Sequence, residues 1–495
     1  FQAEDGIRDV ERSRGLGDVY KRQGQDTLMP LREACGVLGI ASKSPVLNLM
    51  TIGLRALQHR GQESAGITIY DGEHLTQKGM GLVAEVLDDF GDEFTKGLTG
   101  IGHVRYSTAG GSSMKNAQPM TVSSVNGELS IGHNGNVANQ DALRQEKENA
   151  GWAFMSDTDS EIIVRMIANN LSKKHSIIKS IQLTMENLVG SYSIVILHQD
   201  ELYAFRDPLG IKPLCIGEIS DGNVVASESS AIEIMGGKVI RDVEPGEIVT
   251  INDEKIISHI VSNSEDKAFC MFEYVYFARP DAKIDGILTY SVRQKIGNEL
   301  WEESPLEGDV VVPVPDSGIA CALGFSEASN IPYREGLIKN RYLHRSFIQP
   351  INEQRKATIN EKLNPIKEIV EGKKVILVDD SIVRGNTSKR IVSRVREAGA
   401  KEVHIRVGCP PIISPCFLGI DMPSREEFVA PNRTMEEITK EIGADSVEYI
   451  SIPGLVKCIG KEEKDLCLGC ITEKYPLQID GEKQRGQATL EEFRA

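Results

Sequence analysis

The sequence predicts two domains of different class: an α+β domain of sandwiched antiparallel sheets with helices, followed by an α/β domain built on a parallel sheet. Three observations lead there. From residue 35 to about 253, short apolar strands recur with glycine turns and two helical stretches, the texture of an α+β layer fold. Beyond a polar stretch at 262–267, apolar strands alternate with helices, the sign of a parallel sheet. A chain of 495 residues also exceeds what one ordinary core organises.

In chain order, residues 1–28 are polar, broken by glycine and apolar at neither period. They resemble translated adapter sequence and read as a non-native extension, with Met29 as the start of the protein proper. The strand candidates of the first domain are GVLGIAS, AGITIYDG, IGHVRYST, ELSIGHNG, SYSIVILHQ, ELYAFRD and EIVTIND, with helices at 158–171 and 177–188. The boundary falls near 260, giving domains at 35–260 and 261–495. In the second, GDVVVPVP, VILVDD and EVHIRVGCPP are buried strands, and a helix at 387–398 starts after a Gly-Asn turn and stops at Gly399. No internal repeat or low-complexity tract interrupts either half.

The net charge of -16 argues against nucleic acid or an anionic membrane as the main partner. It leaves room for a phosphate-bearing small molecule, which a local loop can bind whatever the total charge. No apolar run is long enough to cross a bilayer and no secretory signal is evident, so a cytoplasmic location is expected. Nine cysteines, an odd number in so large a chain, point to catalysis or metal rather than a disulfide framework.

Cys35 alone, ahead of a strand, would read as a small buried hydrophobe. Four downstream motifs change that: Gln58-His59-Arg60-Gly61-Gln62-Glu63-Ser64-Ala65-Gly66, then Gly102-His103-Val104-Arg105-Tyr106-Ser107-Thr108, His133-Asn134-Gly135-Asn136 and Thr158-Asp159-Ser160-Glu161. Together these resemble the N-terminal-nucleophile glutaminase domain of class II glutamine amidotransferases. The resemblance implies that Cys35 attacks the glutamine amide as residue one of the processed chain, so that residues 29–34 form a propeptide. A free α-amino group, with a pKa of about 8, can serve as base for a thiol with a pKa of about 8.5. It further implies an oxyanion hole from the Asn134 side chain and Gly135 N–H, with Arg105 on the glutamine α-carboxylate and Asp159 on its ammonium. Arg60 is expected to organise the structure beside the nucleophile, and His103 and His133 to be structural.

Val375-Ile376-Leu377-Val378 reads as a buried strand with Asp379 and Asp380 at its carboxyl end, followed by Ser381, Arg384, Gly385, Asn386, Thr387 and Ser388. Ligands of open α/β sheets bind at that edge. Paired carboxylates can accept ribose hydroxyls and help hold Mg²⁺, and a glycine turn entering a helix offers N–H groups to phosphate. The run resembles the phosphoribosyl pyrophosphate motif of type I phosphoribosyltransferases. That likeness extends to 313–318, a pyrophosphate loop with Ser317 near the metal alongside Asp379 and Asp380. It also reaches Lys339 and the segment onward to Arg355, a mobile loop that closes over the substrate.

Cys467-Leu468-Gly469-Cys470 is a CxxC, with Cys270 and Cys416 far upstream. Four thiolates could bind zinc or an iron–sulfur cluster, and spacing leaves both open. Cys215, Cys321, Cys409 and Cys458 read as buried thiols. The stretch Gly79-Met80-Gly81-Leu82-Val83-Ala84 fits a loose dinucleotide pattern but lacks a convincing strand–helix context, and no Walker A sequence is present.

From Met29 to about Pro476 the chain resembles the cluster-bearing branch of the glutamine phosphoribosylpyrophosphate amidotransferases. This implies a 4Fe-4S cluster on Cys270, Cys416, Cys467 and Cys470, Mg²⁺, the substrates glutamine and phosphoribosyl pyrophosphate, purine-nucleotide feedback and a homotetramer. Two rivals are weighed: another class II amidotransferase, against which residues 379–388 argue, and a nucleotide-sensing regulator, which needs no glutaminase half.

Overall fold

The computed structural model describes residues 35–106, 112–262, 266–340, 363–422 and 425–479. The expected extension (1–28) and propeptide (29–34) lie outside the described residues. So do Ser107 and Thr108, and residues 341–355 of the segment expected to close over the substrate.

The first half is a sandwich of two antiparallel sheets. Strands β1 (Gly36–Ser42), β2 (Ser64–Tyr70), β3 (His74–Met80) and β4 (Thr99–Arg105) begin one sheet. Strands β5 (Met120–Ser124), β6 (Gly127–Val137), β7 (Gly190–His198) and β8 (Glu201–Arg206) begin the other. The chain then returns to each: β9 (Cys215–Ile219), β10 (Gly222–Ala226) and β11 (Lys238–Asp242) complete a seven-stranded sheet in the order β11-β9-β10-β1-β4-β2-β3. Strands β12 (Glu247–Ile251) and β13 (Ile256–Ile260) complete a six-stranded sheet in the order β13-β12-β8-β7-β6-β5.

Alternation along β1 shows how the layers form. Leu38 and Ile40 pack toward the helix Leu47–Ala56, whereas Val37 and Ala41 join Val195, Leu197 and Ala204 between the sheets. A period of two sends successive side chains to opposite faces, so a strand buried on both sides must be apolar throughout. The helices Asp159–Ser172 and Ile177–Met185 cover the outer face of the six-stranded sheet. Both match the expected stretches to within a residue or three.

Several strands escaped the sequence reading. HLTQKGM of β3 and KVIRD of β11 are sheet-edge strands carrying polar residues on a part-exposed surface, so they lack the apolar run that reveals an interior strand. The glycine-rich stretch at 79–84 does follow a strand and enters a helix, Val83–Val86, contrary to the expected lack of context. The strand is an antiparallel edge and the helix a single turn, which is no dinucleotide unit.

The second half opens with β14 (Phe269–Cys270) and a small hairpin, β15 (Lys283–Ile284) and β16 (Ile287–Leu288). Then come β17 (Val310–Pro313), β18 (Leu337–Lys339), β19 (Leu363–Pro365), β20 (Lys374–Asp379), β21 (Glu402–Val407), β22 (Ser446–Tyr449) and β23 (Leu466–Cys467). Four of these form a parallel sheet, β17-β20-β21-β22. The three expected strands are adjacent in it, and β22 adds a fourth too short and too polar to read from sequence. Val375 and Leu377 face one core while Ile376 and Val378 face the other. The helix predicted at 387–398 spans Asn386–Glu397.

Buried ion pairs join the halves. Arg206, 1% exposed, donates to Asp285 in the hairpin turn at 2.9 and 3.2 Å. Arg60, equally buried, reaches Glu273 just beyond β14.

Candidate active sites

Cys35 sits at the head of β1, 6% exposed, with its Sγ donating to the Tyr106 carbonyl at 3.3 Å. It lines a small cavity together with Arg105, Tyr106, His133, Gly135 and Asp159. Four elements converge there: the start of β1, the end of β4, the middle of β6 and the first residue of the helix Asp159–Ser172. Burial pushes the Cys35 thiol up, while the Arg105 guanidinium opposes the rise.

Asn134 is fully buried on β6, and neither its amide nitrogen nor its amide oxygen has a hydrogen-bond partner among the described residues. Leaving a buried amide unpaired costs on the order of 1–3 kcal/mol, which a site recovers only when something enters to accept the bond. Next to it, Gly135 has a φ of +152°, and a β-carbon there would stand 2.0 Å from the Ser191 carbonyl. Only glycine fits this strand-to-strand approach.

Asp159 accepts from Val137 N at 3.0 Å and lies 3.4 Å from His133 Nδ1. Burial alone would raise its pKa, but His133 and the N–H groups of Val137 and Ser160 hold the carboxyl below the usual range. Arg105 Nη1 stands 3.8 Å from Glu63. Of the two histidines expected to be structural, His133 lines the cavity beside Asp159. His103 is fully buried against the His133 carbonyl at 2.9 Å, and burial lowers its pKa to about 3.

Behind the cavity, Arg60 Nε donates to the Cys35 carbonyl at 3.2 Å, and its two terminal nitrogens bind Glu228 and Glu273. Burial works against this cation, yet Glu273 and Glu228 hold it charged. Neither glutamate was singled out from sequence. They stand 168 and 213 residues from Arg60, and no local pattern marks such a pairing.

The second candidate site lies at the carboxyl edge of β20. Asp379 and Asp380 are both buried; burial pushes both carboxyls up, and their mutual repulsion adds to it for Asp379. Ser381 Oγ donates to Asp380 at 2.5 Å, and Ser317 hydrogen-bonds the same carboxylate from the neighbouring loop. Gly385, at φ +74°, turns the chain into the helix Asn386–Glu397, so Asn386, Thr387 and Ser388 form its first turn. Lys339 Nζ pairs with Asp316 at 2.8 Å across the mouth, while Arg384 is drawn 2.8 Å from Glu427. Of the expected phosphate-binding residues, Ser381 meets Asp380 at this edge, and Asn386, Thr387 and Ser388 open the helix that follows.

Parallel pairing of β14 with β23 sets Cys270 beside Cys467. The Cys470 carbonyl accepts from Ile413 and Ser414 at 3.0 and 3.1 Å, bringing the Cys416 segment alongside. Burial raises the Cys467 and Cys470 thiols, and each also feels charge on the other three positions or most of them. Among the described residues, however, no group of three or more His, Cys, Asp or Glu side chains is arranged to hold a metal ion. Cys215, Cys321, Cys409 and Cys458 are buried thiols, as expected. Also among the described residues, no helix is long and apolar enough to cross a membrane.

Comparison with known proteins matches residues 103–233 to a glutamine amidotransferase domain and residues 292–414 to a phosphoribosyl transferase domain. The amidophosphoribosyltransferase of Methanocaldococcus jannaschii is 50% identical over 471 residues, 92% of this chain and 100% of that protein. That of Bacillus subtilis is 46% identical over 455 residues, 91% of this chain and 95% of the relative. A solved structure of the B. subtilis glutamine phosphoribosylpyrophosphate amidotransferase, complexed with ADP and GMP, superposes with a TM-score of 0.85 at 44% identity, covering 90% of this chain and 98% of that one.

Proposed function

The chain belongs to the amidophosphoribosyltransferase family, and on that premise we propose that it releases ammonia from glutamine at Cys35 and adds it to C1 of phosphoribosyl pyrophosphate. The products are 5-phosphoribosylamine, pyrophosphate and glutamate, the first committed step of purine biosynthesis. The observation that carries the glutaminase half is the cavity that Cys35 shares with Gly135, Arg105 and Asp159, next in sequence to Asn134, whose buried amide has no hydrogen-bond partner among the described residues.

In this reading, removal of everything through Ala34 frees the Cys35 amine, which takes the thiol proton. Sulfur attacks the amide carbonyl, and the oxygen's developing charge is met by Asn134 Nδ2 and Gly135 N–H, donors that gain their full bond only in the transition state. Ammonia leaves, and water resolves the thioester to glutamate. The planar Arg105 fork suits the α-carboxylate and Asp159 the ammonium.

At the second site, the Gly385 turn and the N–H groups of Ser381–Ser388 suit the phosphate, and Asp379 and Asp380 the ribose hydroxyls. Lys339 and Arg384 carry charge toward the leaving pyrophosphate. Mg²⁺ fits Ser317, Asp379 and Asp380, since two carboxylates held unfavourably close gain from a cation between them; when bound it offsets charge on the departing pyrophosphate. Ammonia must pass between the sites without meeting bulk water.

A 4Fe-4S cluster fits Cys270, Cys416, Cys467 and Cys470. Burial pushes the Cys270 thiol up to about 12, so ionisation there requires a metal. The role of the cluster is structural. Cytoplasmic location, homotetrameric assembly and feedback by purine nucleotides complete the proposal; the last agrees with the nucleotides bound in the solved relative.

Glutamate release by the processed protein, measured with and without phosphoribosyl pyrophosphate, tests the reading. Stimulation of about tenfold or more, with pyrophosphate formed in step with glutamate, is expected. Glutamate release indifferent to the donor would sink it.

A further inference from the structure

Three consecutive carbonyls of the segment just past Cys416 are gripped by three side chains of the glutaminase half. Asn136 Nδ2 donates to the Phe417 carbonyl at 2.7 Å, Ser191 Oγ to Leu418 at 2.8 Å and Lys212 Nζ to Gly419 at 3.1 Å. Ser191 and Lys212 are fully buried, so these bonds are shielded from water. The grip is centred on the strand pair that carries Asn134 and Gly135. On β6 and β7, Asn136 stands opposite Ser191 and Gly135 opposite Tyr192. Gly419, at φ +90°, packs so closely that a β-carbon would lie 3.0 Å from the Gly135 carbonyl carbon and 3.0 Å from Lys212 Cε.

The far side of the segment is fixed as well. Phe417 stacks edge-on against Tyr475 at 5.2 Å, and Tyr475 Oη donates to the Pro415 carbonyl at 2.6 Å. Leu418 N donates to Cys416 Sγ at 3.3 Å. The segment is therefore a strut with one face on the cysteine-bearing region and the other on the back of Gly135.

We propose that Asn136, Ser191 and Lys212 are positioning residues that clamp residues 417–419 against β6 and so fix Gly135 N–H and Asn134 for the glutaminase transition state. The clamp rests on the oxyanion role proposed for Asn134 and Gly135, and makes that role depend on a segment of the phosphoribosyltransferase half 281 residues away from Asn136 in sequence. A displacement of about 1 Å in such a donor can cost on the order of a hundredfold in rate, and loss of a donor outright about 10²–10³. Glutamine binding uses other groups and should be left alone.

Ser191→Ala and Asn136→Ala test it separately. Each should lower kcat for glutamine by about 10-fold or more, leave KM for glutamine within about twofold, and leave ammonia-dependent synthesis at the second site unchanged. Ser191→Thr, which keeps the hydroxyl, should restore most of kcat. A glutamine kcat within about twofold of the parent in both variants would overturn the clamp, as would equal loss of glutamine- and ammonia-dependent activity. Cys35→Ala, assayed alongside, separates the two levels. If it keeps glutamine activity, the nucleophile assignment itself is wrong; if it abolishes that activity while the clamp variants stay at parental kcat, only the clamp is wrong.

Discussion

The two sites use opposite means of preparing for charge. The Cys35 site is set into strands of a closed sandwich, and the adjoining β6 residue Asn134 keeps a buried, uncharged amide with no partner among the described residues. The Asp379 site stands on the open edge of a parallel sheet and keeps two carboxylates close together in a buried place. In the proposed reading, one site waits for negative charge that exists only in a transition state, and the other for a ligand and cation that arrive already charged. The first therefore depends on rigid positioning across many strands, the second on one contiguous loop and the turn of the helix it enters.

Paired substitutions give the largest expected effect and would break this contrast if it is wrong. Cys35→Ala should reduce glutamine-dependent synthesis by more than about 10³-fold yet spare ammonia-dependent synthesis, since only the nucleophile is removed. Asp380→Asn should reduce synthesis from both nitrogen sources by about 10²-fold or more. Steady-state assays with glutamine and with ammonium chloride read both outcomes, and a Cys35→Ala protein crippled equally with ammonia would refute the separation of roles.

A smaller effect concerns the joint between the regions. Glu273→Gln leaves Arg60 short of a buried carboxylate partner, a change that costs about 3–5 kcal/mol in comparable settings. It should lower Tm by several degrees and depress glutamine-dependent activity more than ammonia-dependent activity, because Arg60 also holds the Cys35 carbonyl. An unchanged Tm would show that Glu228 suffices alone.

The smallest effect sharpens the picture of the closed sandwich. His103 has its pKa lowered to about 3 by burial, against about 6.5 when unfolded. Between those values the unfolded chain binds a proton that the folded one refuses. Stability should therefore fall as pH drops below about 6.5, by up to ~1.4 kcal/mol per unit from this residue. Urea titrations at about pH 4.5 and about pH 6.5 should show a shallower loss for His103→Gln than for the parent. An identical slope in the two proteins would mean that His103 is not held neutral.

Legibility followed distance along the chain. Residues 379–388 carry the strand end, the turn and the helix start in one consecutive run, so the sheet edge could be read locally and the resemblance of that run proposed the second site. The parallel strands read clearly because burial on both faces demands unbroken apolar runs. Edge strands β3 and β11 did not, since a part-exposed surface accepts polar residues at either period. In the first half three of the four motifs named the residues that line the cavity with Cys35, all but Gln118, and nothing in them said that Glu228 and Glu273 would close around Arg60.

By itself, the sequence determined two domains of different class and the acidic edge of the parallel sheet, features set by neighbours a few residues apart, and through the resemblance of four ordered motifs it named the candidate nucleophile and its companions. The tertiary structure alone decided that Cys270 stands beside Cys467, that Arg60 bridges the halves, and that residues 417–419 lie against the back of Gly135. Such contacts are made between surfaces of finished sheets and loops, so their partners are chosen by three-dimensional fit and mutual burial, which leave no periodic trace along the chain.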